Sequence, residues 1–191
     1  MKKVDGTSWM FAAWALAVVL VGGILTSFHQ PFRAPDGSIL SLGKQPPRPE
    51  WRALHILSGS CGCSQRVMQH LLRRRPFNGV AEEIVVVDGD APYLSGSSEL
   101  LAGLAGEGFS VSHVAAKDLP QETGLHGVPL LVFASPVNKI AYVGGYGSSE
   151  DRDGEILEQV RSGQTPKALA VLGCAIGKGL RRNADPFHLK Y

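Results

Sequence analysis

The sequence predicts an α/β fold: a mixed central sheet flanked by helices, carried behind one N-terminal transmembrane helix. Three observations predict it. Residues 9–28 contain no charge, which at ~1.5 Å rise per residue covers the ~30 Å hydrocarbon core of a bilayer. From Trp51 onward, short apolar runs alternate with stretches of helical periodicity, the pattern of strands interleaved with helices. Late in the chain, two apolar runs at 130–133 and 140–143 flank a turn at 136–139, which reads as a β-hairpin.

Lys2 and Lys3 precede the apolar segment, while the near downstream side offers only Arg33 against Asp36. The positive-inside rule then keeps residues 1–8 in the cytoplasm and places the rest outside. Trp9 stands where an interfacial anchor would. A cleaved signal peptide would have a shorter apolar region and a small-x-small site, and Leu25-Thr26-Ser27 is a poor one, so an uncleaved signal anchor is expected. The expected location is the bacterial inner membrane, single-pass, with the C-terminal domain in the periplasm. Residues 29–50 hold Pro31, Pro35, Pro46, Pro47 and Pro49 and read as an extended tether, with Ile39, Leu40 and Leu42 as a short edge strand within it.

The domain proper is expected over 51–163. Residues 53–57 form an apolar strand closed by Ser58-Gly59-Ser60, and 64–75 a helix with Val67, Leu71 and Leu72 on one face, stopped by Pro76. Residues 83–88 are the best strand, 97–107 a helix facing a core through Leu100, Leu101 and Leu104, 109–114 a strand and 120–125 a helical turn. After the hairpin, 155–161 reads as a helix, and 164–191 as a helical extension with a glycine-interrupted helix over 167–181.

A net charge of +2 over 191 residues singles out no partner, and no basic stripe interleaved with aromatics points to nucleic acid. Arg73-Arg74-Arg75, at a helix end, suits the negative end of the helix dipole. Gly144-Gly145-Tyr146-Gly147 opens no P-loop, because no Lys-Ser/Thr follows; the glycines read as turn residues. Asp88-Gly89-Asp90 reads as a solvated loop at a strand end. No Ser–His–Asp arrangement can be assembled from spacing.

The chemistry lies in Cys61-Gly62-Cys63, where a strand runs into a helix, and in Gly127-Val128-Pro129, just before a second apolar strand. A thiol attacks only as thiolate, and the unpaired N–H groups of a helix N-terminus favour that anion. By its distance from the strand, Cys61 should sit at the helix mouth, exposed, with Cys63 in the first turn. A bond between residues i and i+2 closes a small strained ring, which would make such a pair comparatively oxidising. X-Pro bonds are the only ones commonly cis, and such a turn leaves the preceding backbone open to an extended thiol substrate. In an exported chain a disulfide can persist, and three cysteines leave at least one unpaired or pairing transiently.

With these residues the chain resembles the thioredoxin superfamily over about 51–161. Residues 124–147 are similar to its region of cis-proline, strand, turn, strand and glycine, and the extra helix and strand at 97–114 are similar to the insertion of membrane-tethered TlpA and ResA-type proteins. The resemblance implies a thioredoxin-like fold and thiol–disulfide exchange. Cys61 would attack, Cys63 or Cys174 would resolve the mixed disulfide, and Pro129 would shape the substrate groove with Val128 lending its backbone. Clients would carry thiols or disulfides near the membrane, and no cofactor is implied. The family's usual motif is C-x-x-C; here Ser64 takes the resolving position and Cys63 is shifted by one. His55 stands where thioredoxins bury a carboxylate, either to move a proton or simply as a histidine fitted into a strand.

Cys174, in a small apolar setting, reads either as an inert buried thiol or as a resolving thiol or extra ligand. The alternative function is Cu(I) binding and delivery. Closely spaced soft thiolates suit that ion, Sco-type copper proteins share this fold and tethering, and Cys61, Cys63 and His126 would be the ligands, with His70 and His113 as weaker candidates. A structural four-ligand zinc site is not expected, because no second close Cys/His pair exists. A scaffold that has lost activity is the third reading.

Overall fold

Strand β1 (Trp51–Leu57) is apolar on both faces and lies in the middle of the sheet, buried from Arg52 to Leu57. The computed structural model describes residues 6–27, 37–120, 123–125, 127–147 and 151–176. From β1 the chain runs through α2 (Gly62–Arg74), β2 (Val80–Asp88), α3 (Ser97–Gly106), β3 (Ser110–Ala115), β4 (Gly127–Val128), β5 (Leu130–Ala134), β6 (Ile140–Gly144), α4 (Asp153–Arg161) and β7 (Cys174–Ala175). The main sheet has the order β3-β2-β1-β5-β6. Strands β1, β2 and β3 are parallel, and β5 joins β1 antiparallel with His55 opposite Leu131. The hairpin β5–β6 closes through Ser135 N–H donating to Lys139 O at 2.9 Å, as the sequence predicts. The expected mixed α/β architecture is therefore present.

Each face of the sheet has its own core. On one, Ala53, Leu57, Ile84, Val86, Leu131 and Phe133 meet Val67, Met68 and Leu71 of α2, Leu101 and Leu104 of α3, and Ile156, Leu157 and Val160 of α4. All three helices of the domain contribute to this one layer. On the other face, Leu54, Ile56, Val85, Val87, Leu130 and Val132 are covered by irregular segments instead: Ile39, Leu125, Val128 and, half-buried, Val171, Cys174 and Ile176.

Three expectations change here. Residues 37–42 form a 3-10 helix rather than an edge strand, and Ile39 is fully buried. The end of the expected tether is thus seated on the domain: Lys44 N–H donates to Glu83 Oε2 at 2.6 Å, and Arg52 Nη2 donates to Lys44 O at 2.8 Å. The expected helix over 167–181 is absent from its described part, 167–176, which has no regular secondary structure apart from β7. A Cβ on Gly173 would fall 1.8 Å from Val128 O, so backbone packs directly on backbone there. The glycines of 144–147 do more than turn the chain, since a Cβ on Gly145 would fall 2.1 Å from Ala170 O.

Helix α1 (Gly6–Ser27) has 22 residues. Trp9, Met10, Phe11, Trp14 and Leu16 on it are exposed. Among the described residues no helix is long and apolar enough to cross a membrane. Residue 28, the end of the expected span, lies outside the described residues, as do 29–36 of the tether and 177–191 of the extension.

Candidate active site

The turn from β1 to α2 is built by short polar side chains. Cys61 N–H donates to Ser58 O at 3.2 Å, and Ser58 N–H donates to Ser64 Oγ at 3.1 Å, so Ser64 is buried within the loop rather than facing out. Gly59 is pinned from outside: Leu94 N–H and Ser97 Oγ donate to its carbonyl at 2.8 and 2.9 Å, and the Tyr93 ring leaves no room for a Cβ. Cys61 is the N-cap of α2 in extended conformation, and Gln65 N–H closes the first turn on its carbonyl at 3.0 Å. The helix-mouth position is as expected. The expected exposure is not: Cys61 is 1 % exposed, because Val128 and the segment carrying Cys174 cover it.

Val128-Pro129 is a cis peptide, and Cys61 Sγ lies 3.8 Å from Val128 O. Val128 does lend its backbone, to Cys174: β4 and β7 pair antiparallel with Val128 opposite Cys174 and Gly127 opposite Ala175. Residues distant in sequence thus converge, and Cys61, Cys63, Pro129 and Cys174 form one site. All three cysteines are thiols in this structure. Cys63 is half-buried in the first turn of α2, where Arg66 Nη2 donates to its sulfur at 3.5 Å.

The Cys61 thiol is held far below the ordinary thiol range. The largest cause is a hydrogen bond from Cys174, followed by one from Cys63; burial opposes them, and the Ser64 backbone and hydroxyl add to the lowering. Ser64, at the position a resolving cysteine would take, therefore favours the Cys61 thiolate. A small cavity beside Cys174 is lined by Ser58, Ser60, Val87, Gly89, Val128 and Cys174.

His55 is not part of this site. It is fully buried on the helix-covered face, with Nδ1 against the Tyr146 hydroxyl and Nε2 2.9 Å from Glu82 Oε2. Both ring nitrogens are committed, so the plain structural reading of His55 holds. His70 is likewise engaged, 2.9 Å from Asp153 Oδ1, and His113 lies 3.1 Å from Asp88 Oδ2. His126 lies outside the described residues. Among the described residues no group of three or more His, Cys, Asp or Glu side chains is disposed to hold a metal ion.

Arg74, read from sequence as a charge suited to the negative end of the helix dipole, is also the centre of a buried network. It donates to Glu82 Oε1 and Oε2 at 3.1 and 2.6 Å and to Asp153 Oδ2 at 2.7 Å, and stacks 3.8 Å above the Phe77 ring. The Glu82 carboxyl is pushed up by burial, but hydrogen bonds from His55 and Arg74 outweigh that and bring it down to about 2. This network ties β1, α2, β2 and α4 together and so fixes the helix whose N-terminus carries Cys61. The only signal in the sequence was a carboxylate, Glu82, at the start of a strongly apolar strand.

The sequence matches no family model and no curated protein. Solved structures do resemble the fold. An uncharacterised conserved protein of Geobacillus kaustophilus is 17 % identical, with a TM-score of 0.54, covering 68 % of this chain and 78 % of that one. A hypothetical protein of Sinorhizobium meliloti 1021 is 14 % identical, with a TM-score of 0.52, covering 78 % and 91 %. A secreted disulfide oxidoreductase of Mycobacterium tuberculosis, homologous to E. coli DsbE, is 12 % identical over 58 % and 83 % of the two chains. Its TM-score of 0.42 is too low to bear on what this chain does.

Proposed function

We propose that this chain belongs to the thioredoxin superfamily and is a thiol–disulfide oxidoreductase that acts through Cys61. The observation that carries the reading is Cys61 itself: a thiol at a helix N-terminus, driven towards thiolate by two neighbouring thiols and Ser64, beside the Val128-Pro129 backbone. Two further sulfurs at the same place supply what exchange needs after attack, namely a second thiol to release the client. In the reducing direction, the Cys61 thiolate attacks one sulfur of a client disulfide, the other client sulfur leaves as thiolate, and Cys63 or Cys174 then attacks Cys61 Sγ to release the first. The client gains two electrons and the protein is left with a disulfide; the oxidising direction reverses each step.

Tethering by residues 9–28, with the domain on the periplasmic side, would confine clients to the membrane surface. The support is the uncharged segment with its exposed aromatic and aliphatic side chains. The alternative reading is Cu(I) binding and delivery through Cys61, Cys63 and His126, of which His126 lies outside the described residues. A scaffold without activity would have no use for a stabilised thiolate.

The direct test is reaction of the full chain with glutathione disulfide, followed by acid quench and peptide mass spectrometry. A glutathione adduct or intramolecular disulfide involving Cys61 is expected, and Cys61→Ser should abolish it. An inert Cys61 with Cys63 and Cys174 modified independently would remove the reading.

A further inference from the structure

The segment 169–176 reaches the cysteine site as an extended strap. It is anchored first at the end of β6, where Gly145 N–H donates to Leu169 O at 2.8 Å and Leu169 N–H donates to the Tyr142 hydroxyl at 3.3 Å. Val171 and Ile176 then pack on the open face of the sheet, and β7 pairs with β4. Two close backbone approaches along this path, Ala170 on Gly145 and Gly173 on Val128, are possible only because glycine stands at one partner of each. The strap is therefore fitted rather than loosely draped.

Its register matters. Cys61 is buried, and Val128 O flanks its sulfur. An extended client that brings a sulfur to Cys61 must lie along β4. That place is filled by the chain's own Gly173-Cys174-Ala175, with Cys174 directly opposite Val128. We propose that β7 is a built-in stand-in for the client strand: it must leave β4 for a client to enter, and its return both evicts the client and delivers Cys174 as the resolving thiol. The client it mimics is an extended cysteinyl segment with glycine immediately before the cysteine, since a side chain there would collide with the Val128 carbonyl.

This deepens the exchange reading and rests on it. The balance is that of a client disulfide reduced. Cys61 thiolate forms Cys61–S–S–client and releases the client's other thiolate. Cys174 thiolate then attacks Cys61 Sγ, the Cys61–Cys174 bond forms, and the client leaves as a second thiolate. Because the competitor is tethered, its effective concentration is in the millimolar range, so an untethered peptide should meet a closed site most of the time.

The test uses the full chain and a synthetic peptide, Val-Leu-Gly-Cys-Ala-Ile, as its mixed disulfide with glutathione. Gly173→Val, which cannot seat β7, should form the Cys61–peptide disulfide about tenfold or more faster than wild type. Replacing the peptide's glycine by valine should slow its reaction several-fold in both proteins. Cys174→Ser, which keeps the strand and removes its thiol, should accumulate the mixed disulfide that wild type clears. Equal rates for wild type and Gly173→Val, with Cys61 reactive in both, would overturn the strap proposal and leave thiol exchange standing. So would clearance by Cys174→Ser at the wild-type rate, which would assign resolution to Cys63. Cys61 inert in every variant would overturn both. Should Gly173→Val not fold, the Cys174→Ser and peptide-valine arms decide the matter alone.

Discussion

Ser64 stands where a second cysteine would complete a C-x-x-C motif, and its hydroxyl and N–H instead support the Cys61 sulfur from within the loop. The division of labour among the sulfurs follows from their surroundings. Cys61 is buried and its pKa is lowered, while Cys63 and Cys174 are half-buried and donate to its sulfur. Since the Cys174 hydrogen bond is the largest cause of the lowering, Cys174→Ala should raise the Cys61 pKa; thiolate absorbance titrated against pH would report the midpoint moving up. An unchanged midpoint would mean the anion is held by Cys63, Ser64 and the helix terminus without Cys174. At this scale the sequence was informative about which cysteine caps the helix, because strand, turn and helix are local patterns. It was silent about burial, because the covering atoms belong to residues distant in sequence, Val128 and the segment around Cys174.

Among the elements, α2 is held by charge as well as by its apolar face. Arg74→Ala would leave the Glu82 and Asp153 carboxylates buried without their cation, and a loss of about 3–5 kcal/mol in denaturant unfolding is expected. A loss below about 1 kcal/mol would place the network in the category of exposed pairs. The same network sets an acid limit. Glu82 is lowered from 4.5 to about 2 in the folded protein, so its contribution is complete above the unfolded value and disappears as pH falls from about 4.5 towards about 2. Asp153, raised by burial but lowered more by His70 and Arg74, acts in the same direction. Unfolding free energy measured across this window should fall steeply in wild type and less in Glu82→Gln. The five strands of the main sheet, α2, α3, α4 and the hairpin were legible from period and turn residues, whereas β4 was read only as an X-Pro turn. Strand β7 was not: Lys167, Ala168, Leu169, Ala170, Val171 and Leu172 suit a helix locally, and only the fit of Gly173 against Val128 selects the extended path. Arg74 was legible as a helix-end charge but not as the centre of a buried network, since its partners on β2 and α4 cannot be seen in a run of three arginines.

For the whole molecule, the sheet has one face covered by helices and the other by the 3-10 turn around Ile39, the loop at Leu125 and the strap. The face that leads to Cys61 is the one closed by irregular chain, which can move at lower cost than a packed helix. If residues 9–28 tether the chain as proposed, the full chain should enter the membrane fraction, and residues 37–191 alone should remain in the supernatant after centrifugation of a lysate. A full chain recovered without membranes would remove the tether. The mixed α/β class was readable because it depends on the order of elements. The one-sided helix layer was not, since residues 116–125 carry no strong periodicity.

The measurement that tests the central claim most directly is an equilibrium redox titration of the full chain in glutathione buffers, with alkylation and mass spectrometry identifying each bond. The account predicts one reversible two-electron transition in which Cys61 pairs with Cys174, changing tenfold in oxidised-to-reduced ratio per ~30 mV. Three thiols that collect glutathione independently, with no protein disulfide at any potential, would contradict it.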